Sequence, residues 1–145
     1  MTVLTFHMAN RLDAVDPMVL TMKDQLRVVL SNETLLRFDI CLSETLANLV
    51  LHAKAAMQGS QVDVTLDIAK GRVTAQIFDP EGAAVFDIRD AARDLDAVDV
   101  MAECGRGVGL ILQCADVVDY GPVNNRYRLS LTFVEGNQAM NGVVS

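Results

Sequence analysis

Several classes of protein are excluded by what this chain lacks. None of its apolar runs approaches the ~20 residues that a membrane-spanning helix needs, so no span is expected. Its three cysteines, Cys41, Cys104 and Cys114, are odd in number and show no C-x-x-C spacing. A disulfide framework or zinc site is therefore not expected, and Cys41 and Cys114, in apolar stretches, read as small hydrophobes. No Lys/Arg cluster occurs, and 12 basic against 19 acidic residues leave a net charge of −7. Phosphate backbones need concentrated positive charge, so direct nucleic-acid binding is not expected. The opening stretch MTVLTFHMANRLDAVD has no charged segment followed by an apolar one, so the reading is a cytoplasmic protein without a signal peptide or membrane association. Internal repeats and low-complexity segments are also missing.

What remains is a chain of 145 residues, 51% hydrophobic and 21% charged, which excludes a disordered or fibrous protein. This length suits one domain spanning 1–145, since a domain near 150 residues buries about 68–70% of its unfolded surface. Such an acidic globule is expected to meet proteins or small molecules.

Hydrophobic spacing predicts the elements. Val3 to Ala9 reads as a short strand. Asp13 to Leu30 has helical spacing, with Val15, Met18, Val19, Met22, Leu26, Val29 and Leu30 near one face and Pro17 in the first turn. Ser31-Asn32-Glu33 punctuates, and a second helix is predicted from about Leu36 to Met57, ended by Gly59-Ser60. Val62 to Ile68 alternates as a half-buried strand, Lys70-Gly71 turns, and Val73 to Phe78 returns as a hairpin. Ala83 to Cys104 is a weakly patterned connection with a possible short helix at Ile88 to Leu95. A helix is predicted over Leu110 to Ala115. Strands follow at Val117 to Tyr120 and Tyr127 to Phe133, around a turn at Gly121 to Asn125. The tail from Glu135 reads as frayed. This order predicts an α/β two-layer sandwich, a mostly antiparallel mixed sheet with helices on one face.

Three features could carry chemistry. Four-residue steps on an α-helix drift by only roughly 40°, so Glu44, Asn48 and His52 form one polar stripe, with Leu42, Leu46, Leu49, Val50 and Ala53 turned toward a core. A carboxylate one turn from a carboxamide can hold a hydrated divalent cation and orient a hydroxyl. The same stripe can equally be a solvated helix face. Gly105-Arg106-Gly107-Val108-Gly109 opens a helix, where close backbone approach and unpaired N–H groups can bind phosphate. It can also be only a tight turn, and neither the P-loop nor the dinucleotide pattern fits it. Asp79, at a strand end before Gly82, could accept from a base amino group or simply bond its own turn.

Taken together and in this order, the three resemble the GHKL ATPase superfamily, whose members include gyrase, histidine-kinase and mismatch-repair ATPase domains. The subgroup that the chain most resembles is the small anti-sigma factor serine/threonine kinases. Phe38 to Ala53 is similar to their N-box, and Cys104 to Tyr120 to their second glycine box and the strand after it. The likeness runs over about 3–134. One run departs from it: the family's Asp-x-Gly is here Asp79-Pro80-Glu81-Gly82, with the glycine one place late and Ala following.

The resemblance implies the Bergerat, or histidine-kinase-like, ATPase fold with ATP and Mg²⁺ as cofactors. It implies Glu44 as the general base that activates a serine or threonine hydroxyl, and Asn48 as the Mg²⁺ ligand. Asp79, with Gly82 after it, would meet the adenine amino group. Gly105, Gly107 and Gly109 would offer N–H groups to phosphate, with Arg106 as a charge partner. His52 fits the nucleotide-site pattern or a structural role. An ATP lid would lie at about 83–104. The implied partners are an anti-sigma-factor antagonist, a sigma factor and a second copy of the chain. The alternatives are a non-catalytic nucleotide-binding partner-switching module and a detached histidine kinase catalytic domain.

Overall fold

The structure is a computed structural model, and it describes residues 2–52, 61–80, 111, 113–123 and 126–135. Two helices pack on one face of a five-stranded sheet of order β1-β2-β3-β5-β4. The strands are β1 (Thr2–Ala9), β2 (Gln61–Ala69), β3 (Arg72–Phe78), β4 (Val117–Val123) and β5 (Arg126–Val134). All four pairings are antiparallel, which is the α/β sandwich expected, with no parallel pair among the described strands.

Period-two alternation sets the core face of the sheet. Val62, Val64, Leu66 and Ile68 on β2, Val73, Ala75 and Ile77 on β3, and Leu129, Leu131 and Phe133 on β5 are all buried. The β2–β3 hairpin closes on Lys70-Gly71, and Gly71 takes φ 73°, a left-handed conformation that suits glycine in a two-residue turn.

The first helical region differs from the expectation. A 3-10 turn at Leu12–Ala14 leads into α1 (Val15–Leu26), and the chain then leaves the helix. Val28 is 91% exposed and Val29 is exposed, while Leu30 is buried. Carrying the helix on to Leu30 would have placed Val29 in the core; instead, the amides of Val29 and Leu30 both close on the carbonyl of Leu26, and the chain turns.

The second helix, α2 (Asn32–His52), starts four residues earlier than the spacing predicts. Ser31 is its N-cap rather than a break: its Oγ accepts from the Thr34 amide at 3.3 Å, and its carbonyl accepts from Leu35 at 2.9 Å. The predicted end of this helix, Ala53 to Ser60, lies outside the described residues, as do the connection at 83–104 and its possible short helix.

α2 supplies Leu35, Phe38, Cys41, Leu42, Leu46 and Leu49 to the core, where Phe38 meets Phe133 edge to face at 5.4 Å. Cys41 is a buried hydrophobe, and burial pushes its thiol up to about 12. Arg37 ties the helix to the sheet. It donates to the carbonyls of Cys114 (3.1 Å) and Val134 (2.7 Å) and to the Asp116 carboxylate.

The predicted turn at Gly121–Asn125 is mostly strand. β4 runs through Val123 and β5 resumes at Arg126, leaving two residues between them. Pro122 is tolerated because β4 is an edge strand, where a missing N–H costs the ladder little. No described helix is long and apolar enough to cross a membrane.

Candidate functional site

The site is built by sheet register and one helix face. Cross-strand pairing places Ile77 opposite Leu129, and Leu129 opposite Tyr120. The three side chains thus form one row across β3, β5 and β4. Asp79 lies two residues past Ile77 and continues the same face. From above, α2 brings down Thr45, Asn48 and Leu49, one turn or less apart. Together these seven residues line a small, mainly apolar pocket.

The walls are mainly apolar, with a few polar groups directed inward. Asn48 is only 5% exposed, so it does not belong to a solvated helix face. Among the described residues its Nδ2 is buried without a hydrogen-bond partner. A buried unpaired polar atom costs about 1–3 kcal/mol, and such atoms lining a pocket are suited to a polar ligand. Among the described residues no group of three or more His, Cys, Asp and Glu could hold a metal ion.

Asp79 is 6% exposed and held at both ends of the residue. Its amide donates to the carbonyl of Tyr127 at 3.0 Å. Its own carbonyl accepts from Arg126 Nε at 2.9 Å and Nη2 at 2.7 Å. Its carboxylate accepts from the Tyr120 hydroxyl at 3.0 Å. The simple turn aspartate, bonded to its own backbone, is not what the structure contains. Burial pushes the Asp79 carboxyl up to about 6, against the opposing pull of the Tyr120 bond and the Arg126 charge.

Behind Asp79, Arg126 is itself held. Its Nη1 pairs with Asp63 at 2.5 Å, and its guanidinium lies 5.7 Å from the centre of the Phe78 ring. Asp63 also accepts from or shares a proton with His7 Nδ1 at 2.6 Å. Burial works against ionisation of Asp63, but its bonds to Arg126 and His7 outweigh that and hold its carboxyl below the ordinary value.

Of the residues singled out from the sequence, Asn48 and Asp79 meet in this pocket. Glu44 is half-buried on α2, one turn before Asn48, and does not line the pocket. His52 is on the same helix. Gly82, Gly105, Arg106, Gly107 and Gly109 lie outside the described residues. Sequence reasoning missed Thr45, Leu49, Ile77, Tyr120, Arg126 and Leu129 as site residues. Only Thr45 and Leu49 carried a local signal, being neighbours of Glu44 and Asn48 on one helix.

The pocket joins apolar walls, a buried carboxylate and a buried carboxamide. The family model of the histidine kinase-like ATPase domain matches residues 8–132. No curated protein matches the chain significantly. With most of its length covered by that match, and with Asn48 and Asp79 in one pocket, the chain belongs to the histidine kinase-like ATPase domain family of the GHKL superfamily, and is an ATP-binding domain of kinase-like ATPase type.

Proposed function

We propose that this protein is a cytoplasmic anti-sigma factor with ATP-dependent serine/threonine kinase activity toward an anti-sigma-factor antagonist, built as one domain and acting as a homodimer. The observation that carries the reading is the meeting of Asn48 and Asp79 in one pocket, with Glu44 one helical turn from Asn48. Asp79 accepts the exocyclic amino group of the adenine, and Leu49, Ile77 and Leu129 cover its ring. Asn48 would hold Mg²⁺, which would neutralise phosphate charge. Glu44, outside the pocket and partly open to solvent, acts on a hydroxyl brought by a partner protein: its carboxylate takes the proton as the hydroxyl oxygen bonds to the γ-phosphorus of ATP, and the bond to the β–γ bridging oxygen breaks to release ADP. Gly105, Gly107 and Gly109, with Arg106, would add phosphate contacts, and the ATP lid would correspond to about 83–104; all of these lie outside the described residues. The test is transfer of labelled γ-phosphate from ATP to the cognate antagonist. Transfer that disappears in Glu44→Ala supports the reading; no transfer by the unchanged protein sinks it.

A second reading is a partner-switching module that binds nucleotide without transferring phosphate. The displaced glycine in Asp79-Pro80-Glu81-Gly82 favours it. Calorimetry showing ATP–Mg²⁺ binding, with no phosphotransfer to any antagonist, selects it over the kinase.

A further inference from the structure

We propose that Tyr120 is a positioning residue for the base-reading carboxylate. By donating its hydroxyl to Asp79 Oδ2 it fixes the group so that the other oxygen accepts from an exocyclic amino group, making the pocket prefer a 6-aminopurine over a 6-oxopurine at neutral pH. This rests on reading the pocket as the nucleotide site.

The geometry is specific to this chain's own β4. Tyr120 comes from the edge strand, 41 residues beyond Asp79, and reaches the carboxylate at 3.0 Å. Its ring is stacked on that of Tyr127, with centroids 5.5 Å apart and planes 11° from parallel. Ring and hydroxyl are therefore both held. Tyr127 in turn receives the Asp79 amide on its carbonyl, so the residue that braces Tyr120 also braces Asp79.

The chemistry follows from which atoms can donate. An ionised carboxylate only accepts, so with Tyr120 on Oδ2 it offers Oδ1 to an N–H donor. A neutral carboxyl must donate from one oxygen, and it then suits a carbonyl such as the 6-oxo group instead. A phenol donating to the carboxylate favours the ionised form. Burial opposes this and has already raised Asp79 to about 6. Among the described residues, the other groups facing Asp79 are few. From β5, Arg126 binds its carbonyl and adds positive charge. Arg126 is balanced by Asp63 on β2, which is paired to His7 on β1. From α2 come the neutral Thr45 and Asn48. Removing the Tyr120 hydroxyl thus takes away a direct stabiliser of the charged state and leaves the desolvation in place.

The test is Tyr120→Phe, which keeps the stacked ring. The Asp79 carboxyl is titrated by carbon NMR in both proteins, and ATP and ITP binding are followed by calorimetry from pH 5.5 to 9. The midpoint is expected to rise above that of the unchanged protein. For a rise of about one pH unit, the ionised fraction falls about fivefold at pH 6 and about twofold at pH 7, and is restored by pH 9. ATP affinity of the variant should follow that curve while ITP affinity does not fall with it. An unchanged midpoint overturns the inference, and so does a loss equal at every pH and for both nucleotides. If the unchanged protein binds neither nucleotide, the nucleotide-site reading fails, and the titration still decides whether Tyr120 sets the state of Asp79.

Discussion

Replacing Asp79 by Asn exchanges a buried carboxylate for a neutral group of the same shape, and the change in stability follows from where that carboxylate sits. Asp79 is 6% exposed, and its carboxyl is pushed from 3.8 to about 6. Between those two values the folded protein keeps a proton that the unfolded chain has released. Stability therefore falls as pH rises through that window and stays low above it. At 1.36 kcal/mol per pH unit, the span amounts to about 3 kcal/mol of cost at pH 8. Asparagine carries no such cost, and its amide oxygen can still accept from Tyr120. The advantage of Asp79→Asn over the unchanged protein should grow from well under 1 kcal/mol at pH 4 to about 3 kcal/mol at pH 8. Urea unfolding of both proteins across that range measures it, and the pH dependence of the gap matters more than its absolute size. A gap that does not change with pH would refute the reasoning, because the cost would then not come from ionisation. The same variant should bind ATP more weakly, since an amide no longer offers a charged acceptor. Stability gained where binding is lost is the usual signature of a functional polar group.

Arg126→Ala removes two hydrogen bonds from the Asp79 carbonyl and the partner of Asp63; it should cost about 1.5–3 kcal/mol in urea unfolding and raise the NMR midpoint of Asp63. Asn48→Leu fills the same space without an unpaired buried amide; thermal unfolding should show it stabilised by about 1 kcal/mol, while calorimetry shows ATP–Mg²⁺ binding lost. Phe38→Ala removes the edge-to-face partner of Phe133 from the core and should cost about 3–5 kcal/mol by denaturant unfolding.

The strands and helices were largely legible because their apolar residues repeat at the spacing of the element. Val62 to Ile68 alternates without a fault, and Val15, Met18, Val19, Met22 and Leu26 keep helical spacing, so their buried faces follow directly. Boundaries were less legible where a local contact competes with the pattern. Ser31 reads as a break because serine is common in turns, but its hydroxyl caps α2. Pro122 and Gly121 read as a turn, but an edge strand accepts both. On the site, Asn48 and Asp79 were visible because each stands in a short motif whose residues are close in sequence.

The sequence by itself determined the two-layer architecture, through hydrophobic periodicity, and the positions of the polar groups along α2 and after β3. Only the tertiary structure decided what surrounds them. It buried Asn48, which a helical stripe alone would leave in water. It set Tyr120 on the Asp79 carboxylate and Arg126 on the Asp79 carbonyl, across 41 and 47 residues of chain. These pairings depend on the register of β3, β5 and β4. A one-residue slip would turn every side chain to the other face, and no spacing within a single strand encodes its register against its neighbours.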